Sequence, residues 1–173
     1  SRISRKGSQD QGVAVDVLCP RFTRLEEFLA ADAGGAARLL ATDGITNPQN
    51  AGMLIRSAVA GGIDGILWPA AGNAALGPLA VKASAGTLFR APLIRCGSLP
   101  EALRECRENG YRVCVLQAGA ETSLLDAERP RRAIYVLGNE TEGVSAAVAA
   151  LADRALSIPM NNGVESLNVA VTA

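Results

Sequence analysis

The amino-acid sequence predicts an α/β fold, a mostly parallel sheet flanked by helices, on three observations. Short apolar runs rich in Ile, Leu and Val alternate with stretches whose apolar residues recur at helical spacing, the pattern of strands joined by crossover helices. The chain has 173 residues, enough to bury one sizeable core. That core must be aliphatic, because 49% of the residues are hydrophobic and only 3% are aromatic. No internal repeat or second domain is visible.

Residues 1–20 are assigned to a tail or linker and residues 21–173 to a single domain. The first stretch, SRISRKGSQDQG, is polar and basic without periodicity. Val13, Ala14, Val15 and Val17 then form a short extended run ended by Pro20. RLLATDGI, from Arg38 to Ile45, reads as a buried strand closed by Asp43-Gly44. Asn47 is placed to cap a helix with Pro48 at its first position. Ala51, Leu54, Ile55, Ala58 and Val59 repeat at helical spacing, and Gly61-Gly62 stops the helix. Arg56 falls outside that apolar stripe, one turn beyond Gly52, whose missing side chain is expected to leave room for an approaching group.

Ile63 to Trp68 reads as the next strand, Pro78 to Ser84 as a short helix and Leu88 to Cys96 as extended chain. Ser98 and Glu101 have capping-box spacing for a helix with Leu99, Ala102, Leu103 and Cys106 inward, ended by Asn109-Gly110. Tyr111 to Gln117, Ala133 to Leu137 and Ala155 to Ile158 are further strands, with a helix from about Ser145 to Ala152. Ser166 to Ala173 opens an apolar helix with no terminating signal.

Composition narrows the chemistry. With no histidine, Ser-His-Asp and Cys-His nucleophilic systems and the common zinc sites are excluded, and no metal is expected. Cys19, Cys96, Cys106 and Cys114 lack a CxxC pair and read as reduced, mostly buried thiols. No apolar run reaches bilayer length and no signal-peptide pattern is present, so a cytoplasmic protein with no membrane partner is expected. Seventeen basic residues balance seventeen acidic ones, unlike a protein that grips nucleic acid by charge alone. Local groups remain at Arg2, Arg5 and Lys6, and at Arg129, Arg131 and Arg132, the second of which reads as solvated surface.

Two glycine-broken turns, LGNETEGVS from Leu137 and IPMNNGVESLNVAVTA from Ile158, each follow a short apolar strand. Glycines at 138, 143 and 163 let main chain come close to a ligand, and both turns would lie at the carboxyl edge of the sheet, where ligands of α/β proteins settle. Neither turn has Walker A or GxGxxG spacing.

At these residues the sequence resembles the SpoU (TrmH-like) RNA ribose 2′-O-methyltransferases of the SPOUT superfamily. Asn50, Gly52 and Arg56 match the first motif, Gly138, Glu140 and Gly143 the second, and Ile158-Pro159-Met160 with Ser166-Leu167-Asn168-Val169 the third. The resemblance spans residues 9 to 173. It implies a C-terminal deep trefoil knot, S-adenosyl-L-methionine as cofactor, an RNA substrate, with ribosomal (23S) RNA favoured and transfer RNA the alternative, and a homodimer with sites near the interface.

Carried over position by position, the resemblance assigns Leu137, Gly138, Ile158, Met160 and Leu167 to the cofactor, with Gln117 a weaker candidate. It assigns Arg56, Asn50, Glu140, Ser166 and Asn168 to catalysis. A guanidinium stays protonated in proteins, so Arg56 is read as a forked cation gripping the phosphate and the developing alkoxide rather than as a base. Read without the family, Asn50 equally supports its own helix start, Glu140 is a turn carboxylate, and Ser166 and Asn168 are an N-cap and a first-turn residue. Two other readings stand beside the enzyme: a knotted RNA-binding or assembly protein without turnover, and an ordinary nucleotide-using α/β enzyme. The intact Asn50, Arg56, Glu140 and Asn168 set speaks against the first, and the missing phosphate loop against the second.

Overall fold

In the computed structural model, the residues described are 22–31, 34–162, 164 and 166–173. The assignments for residues 1–20, Cys19 and Gly163 lie outside them. Eight strands form one sheet: β1 (Thr23–Arg24), β2 (Ala37–Thr42), β3 (Gly65–Pro69), β4 (Leu93–Cys96), β5 (Arg112–Leu116), β6 (Thr122–Ser123), β7 (Arg132–Leu137) and β8 (Arg154–Ser157). Their order is β1-β4-β3-β2-β7-β5-β8-β6, and every strand pair is parallel. The helices are α1 (Leu25–Ala31), α2 (Pro48–Ala60), α3 (Pro78–Ala83), α4 (Leu99–Glu108), α5 (Ala146–Ala149) and α6 (Val169–Thr172). The α/β fold, with a mostly parallel sheet flanked by helices, is as the sequence predicts.

The period-2 geometry of the strands sorts their side chains into two cores. Leu39, Ala41, Ile134 and Val136 face α1, α4 and α5, meeting Leu25, Leu103, Cys106 and Val148. Leu40, Ile66, Trp68 and Leu137 face the other way, onto Leu54 and Ile55 of α2, Ala80 of α3 and Val169 of α6. Among the described residues no helix is long and apolar enough to cross a membrane.

The start of α2 follows its sequence signals. Asn47 accepts hydrogen bonds from the amides of Gln49 and Asn50 at 2.8 and 3.3 Å, with Pro48 in the first turn. Several other expectations fail for local reasons. The Ser98 side chain makes no capping bond to α4. Thr87–Arg90 forms a 3-10 turn rather than extended chain, after Gly86 at a left-handed φ of 79°. Helix α5 is one short turn, not eight residues. The cap of α6 is Asn168, not Ser166: Asn168 Oδ1 accepts from the Ala170 amide at 2.9 Å.

Gly52 corrects a larger misreading. A Cβ there would stand 2.3 Å from the Ala80 carbonyl oxygen and 2.8 Å from Ala83 Cβ. The space beside Gly52 is filled by α3, so this glycine serves close helix packing and leaves no opening for a ligand.

Candidate active site

Three adjacent strands, β7, β5 and β8, end at Leu137, Leu116 and Ser157, and their following loops enclose a cavity of ≈ 720 Å³ at the carboxyl edge. Gln117 to Gly119 form one wall, the turn from Gly138 to Val144 a second, and Ile158 to Met160 a third. Ser166, Leu167 and Thr172 close it from the C-terminal segment. All five residues assigned to the cofactor, Leu137, Gly138, Ile158, Met160 and Leu167, line this space, as does Gln117.

The turn after β7 owes its shape to its own backbone. Asn139 and Gly143 exchange amide-carbonyl bonds at 2.9 and 2.8 Å, and Gly143 takes a φ of 71°. A Cβ on Gly138 would lie 2.1 Å from the Gly143 carbonyl carbon. Gly138 is therefore required by the turn closing over it, whereas the sequence reading had it admit a ligand. Asn139 Oδ1 accepts from the amides of Thr141 and Glu142 at 2.8 and 3.2 Å, an Asx turn, while its Nδ2 donates to the Gly44 carbonyl at 2.8 Å.

That last bond is one of several holding residues 43–45, the loop between β2 and α2, against the cavity. Asp43 Oδ2 accepts from the Ser145 amide at 2.7 Å. Asn73 Oδ1 accepts from the Ile45 amide at 2.7 Å, and Asn73 Nδ2 donates to Thr42 at 3.2 Å. The loop in turn delivers the first turn of α2, where Asn50 Nδ2 donates to Glu140 Oε1 at the cavity rim. Asn168 Nδ2 donates to Asn50 Oδ1 at 3.3 Å. Ser57 Oγ donates to the Ala170 carbonyl at 2.9 Å, fastening α6 to α2.

Of the residues assigned to catalysis, the structure thus gathers Asn50, Glu140 and Asn168 into one chain of contacts, with Ser166 on the cavity wall. Arg56 is not brought there. It is exposed on α2, does not line the cavity, and has no hydrogen bond or ion pair among the described residues. Sequence reasoning missed Asn139, Asp43 and Asn73, whose partners are distant in the chain. For Asn139 a local signal existed: Asn two residues before Thr141 favours an Asx turn.

Cys96, Cys106 and Cys114 are buried and free, as expected. Burial pushes the Cys96 thiol up to about 11 and, with nearby Glu105, the Cys106 thiol up to about 12, so neither is a nucleophile at neutral pH.

The cavity suits a nucleoside-containing group, having aliphatic walls from Leu137, Ile158, Met160 and Leu167 interrupted by loop peptides. Its volume lies within the roughly 300–1,000 Å³ of small-molecule sites.

Known proteins resemble this chain in sequence and fold. The chain is 36% identical over 164 residues to an uncharacterized tRNA/rRNA methyltransferase of Mycobacterium avium, covering 94% of this chain and 53% of that protein. It spans about half the length of the curated relatives it matches. The SpoU methyltransferase AviRb from Streptomyces viridochromogenes, solved in complex with AdoMet, superposes with a TM-score of 0.71 at 30% identity, over 79% of this chain and 54% of AviRb. A solved RNA 2′-O ribose methyltransferase superposes with a TM-score of 0.69 at 29% identity, over 80% of this chain and 53% of its own. S-adenosylmethionine is the cofactor of the SpoU methyltransferases, AviRb having been solved with it bound. With the SpoU rRNA methylase model matched across residues 37–173, the chain belongs to the SpoU methylase family.

Proposed function

We propose that this chain is the catalytic domain of an RNA ribose 2′-O-methyltransferase that uses S-adenosylmethionine, acts on ribosomal RNA in preference to transfer RNA, and works as a cytoplasmic homodimer. The observation that carries this reading is the Glu140–Asn50–Asn168 chain of contacts at the rim of the cavity. It joins all three motifs at the place where a sugar beside the cofactor would sit. The likeness to a solved RNA 2′-O ribose methyltransferase supports the ribose as acceptor.

When bound, S-adenosylmethionine supplies an electrophilic methyl on a sulfonium. The chain's task is to hold the 2′-hydroxyl in line and to favour loss of its proton. Glu140, oriented by Asn50, keeps a second carboxylate oxygen for the ribose hydroxyl. Asn168 fixes Asn50 while capping α6, so the sugar-binding groups and the C-terminal segment are set together. Arg56 grips the adjacent phosphate and stabilises the developing alkoxide. Its position outside this subunit's cavity fits a role in the partner's site, with the dimer completing each centre.

Transfer of tritiated methyl to unmodified total RNA, followed by nuclease mapping, tests the activity and identifies the substrate. RNA binding without transfer would favour the non-catalytic alternative. Arg56→Ala and Arg56→Lys should abolish turnover and leave cofactor affinity intact; a loss of cofactor affinity instead would refute the role given to Arg56.

A further inference from the structure

The sheet is wholly parallel, so all its strands start at the edge opposite the cavity, and that edge is rich in arginine. Four neighbouring strands, β2, β7, β5 and β8, carry Arg38, Arg132, Arg112 and Arg154 at their first or second position. Helix α4 runs back across the sheet and delivers Arg104 and Arg107 to the same edge, where they line a cleft of ≈ 580 Å³ together with Arg112. The loop entering β7 adds Arg129 and Arg131.

Carboxylates do not cancel this charge. Among the described residues the nearby acids are Asp64, Glu105, Glu108, Glu128 and Asp153, five against eight arginines. Asp153 is shared by two guanidiniums, Arg107 at 2.9 Å and Arg112 at 3.8 Å, and Glu128 pairs with Arg154 at 3.4 Å. Arg104, Arg129 and Arg131 are exposed and have no ion pair with a described residue. Among the described residues away from this edge the balance reverses: Arg24, Arg56, Lys82, Arg90 and Arg95 stand against eight carboxylates, including Glu140 and Glu142 at the cavity. The described residues, neutral in sum, divide into a basic edge and an acidic remainder.

Arginine is the cation suited to this pattern. Its planar fork pairs with phosphate oxygens in two places and remains charged at any physiological pH. Arg38 and Arg112 stand level on either side of Ala133, and with adjacent strands about 4.8 Å apart they are separated by roughly 10 Å, while Arg154 lies two residues further along and Arg132 stacks over Tyr111 at 4.3 Å. Guanidiniums spread over that distance, with Arg104, Arg107, Arg129 and Arg131 around them, suit a polyanion better than a single small anion.

We propose that the amino edge of the sheet is a second RNA-contact surface, which holds the phosphate backbone of the substrate away from the point of methyl transfer. This rests on the RNA methyltransferase reading and adds to it a location for substrate affinity, since the cavity side is acidic. A polyanion gripped there raises affinity without reading base sequence.

The test is a triple reversal, Arg104→Glu, Arg129→Glu and Arg131→Glu, because these three exposed side chains form no ion pair or hydrogen bond with a described residue. Methyl transfer to structured RNA should show KM raised by at least about tenfold with kcat little changed. The slope of log affinity against log salt should fall in magnitude by about two, at about 0.7 per lost phosphate contact on single strands. Cofactor affinity by calorimetry should be unchanged. An unchanged KM and salt slope, in an enzyme that methylates RNA, would overturn the surface and leave the function standing. Wild-type protein that neither binds nor methylates RNA would remove both. Should the Glu triple melt before assay temperature, the Gln triple at the same positions carries the test, with about the same loss of salt dependence expected.

Discussion

Replacing Gly52 by alanine isolates one packing contact and allows its cost to be worked from the structure. The added methyl would lie 2.3 Å from the Ala80 carbonyl oxygen, 2.8 Å from Ala83 Cβ and 3.0 Å from the Ser84 amide nitrogen. Ordinary contact begins at 3.4 Å, so the backbone of α3 must retreat by about 1 Å. Two of the three atoms met are main chain, so no side-chain rotation relieves the clash. Overpacking of this kind costs about 1–3 kcal/mol, and alanine returns about 1 kcal/mol of helix propensity. The net expectation is a loss of up to about 2 kcal/mol, a fall in Tm of up to roughly 8 °C for a chain of this length. Urea denaturation at constant m value measures it. Gly61→Ala is the control, because its added methyl meets nothing closer than 3.5 Å. A Gly52→Ala protein as stable as Gly61→Ala would refute the claim that α2 and α3 touch at this residue.

Other outcomes follow from the same structure. Asn73→Ala removes the acceptor of the Ile45 amide and the donor to Thr42; a loss of about 1–3 kcal/mol is expected by denaturation, and no loss would show that the loop before α2 is held without it. Gly138→Ala should open the turn after β7 and lower cofactor affinity at least about tenfold by calorimetry, in keeping with the roughly 1.4 kcal/mol that tenfold represents; unchanged affinity would separate the turn from the cofactor. The thiol of Cys106 is raised from 9.0 to about 12 by burial, so unfolded chains lose that proton first. Its stabilising contribution is whole below pH 9 and is lost as pH rises toward 12. The urea midpoint should therefore fall more between pH 8 and pH 10.5 in the parent than in Cys106→Ala, and equal falls would count against a buried thiol.

The sequence disclosed the architecture because period and polarity are local quantities. The strand Arg132–Leu137 and the helix Pro48–Ala60 follow from apolar spacing and the Asn47-Pro48 start alone. The cavity walls were legible too, since Leu137, Ile158 and Met160 end strands whose carboxyl edge was predictable. The purpose of the glycines was not. Gly52 was read as leaving room for an approaching group, yet α3 fills that space, and Gly138, which lines the cavity, is needed because the Gly143 carbonyl closes over it; what lies beside a missing side chain is a tertiary fact. Asn73 and Asp43 escaped for the same reason, bonding residues 28 and 102 positions away. Boundaries erred where short-range geometry overrode pattern, as at Gly86, whose left-handed backbone starts a 3-10 turn in an apolar stretch. The trefoil knot is implied by the family resemblance alone, because apolar spacing carries no information on which segment passes through which loop.

Asp43, Gly44 and Ile45 are each fastened to a different remote residue, Ser145, Asn139 and Asn73. Asp43 and Gly44 therefore tie the turn over the cavity to the stretch of chain that leads into the helix displaying Arg56, and Ile45 ties that stretch to Asn73. A molecule that steadies the turn is expected to steady the start of the helix as well. By reciprocity, whatever engages the helix from outside repays the same free energy to the molecule within. The two halves of the reaction, donor and acceptor, would then each report the arrival of the other through a tripeptide that touches neither.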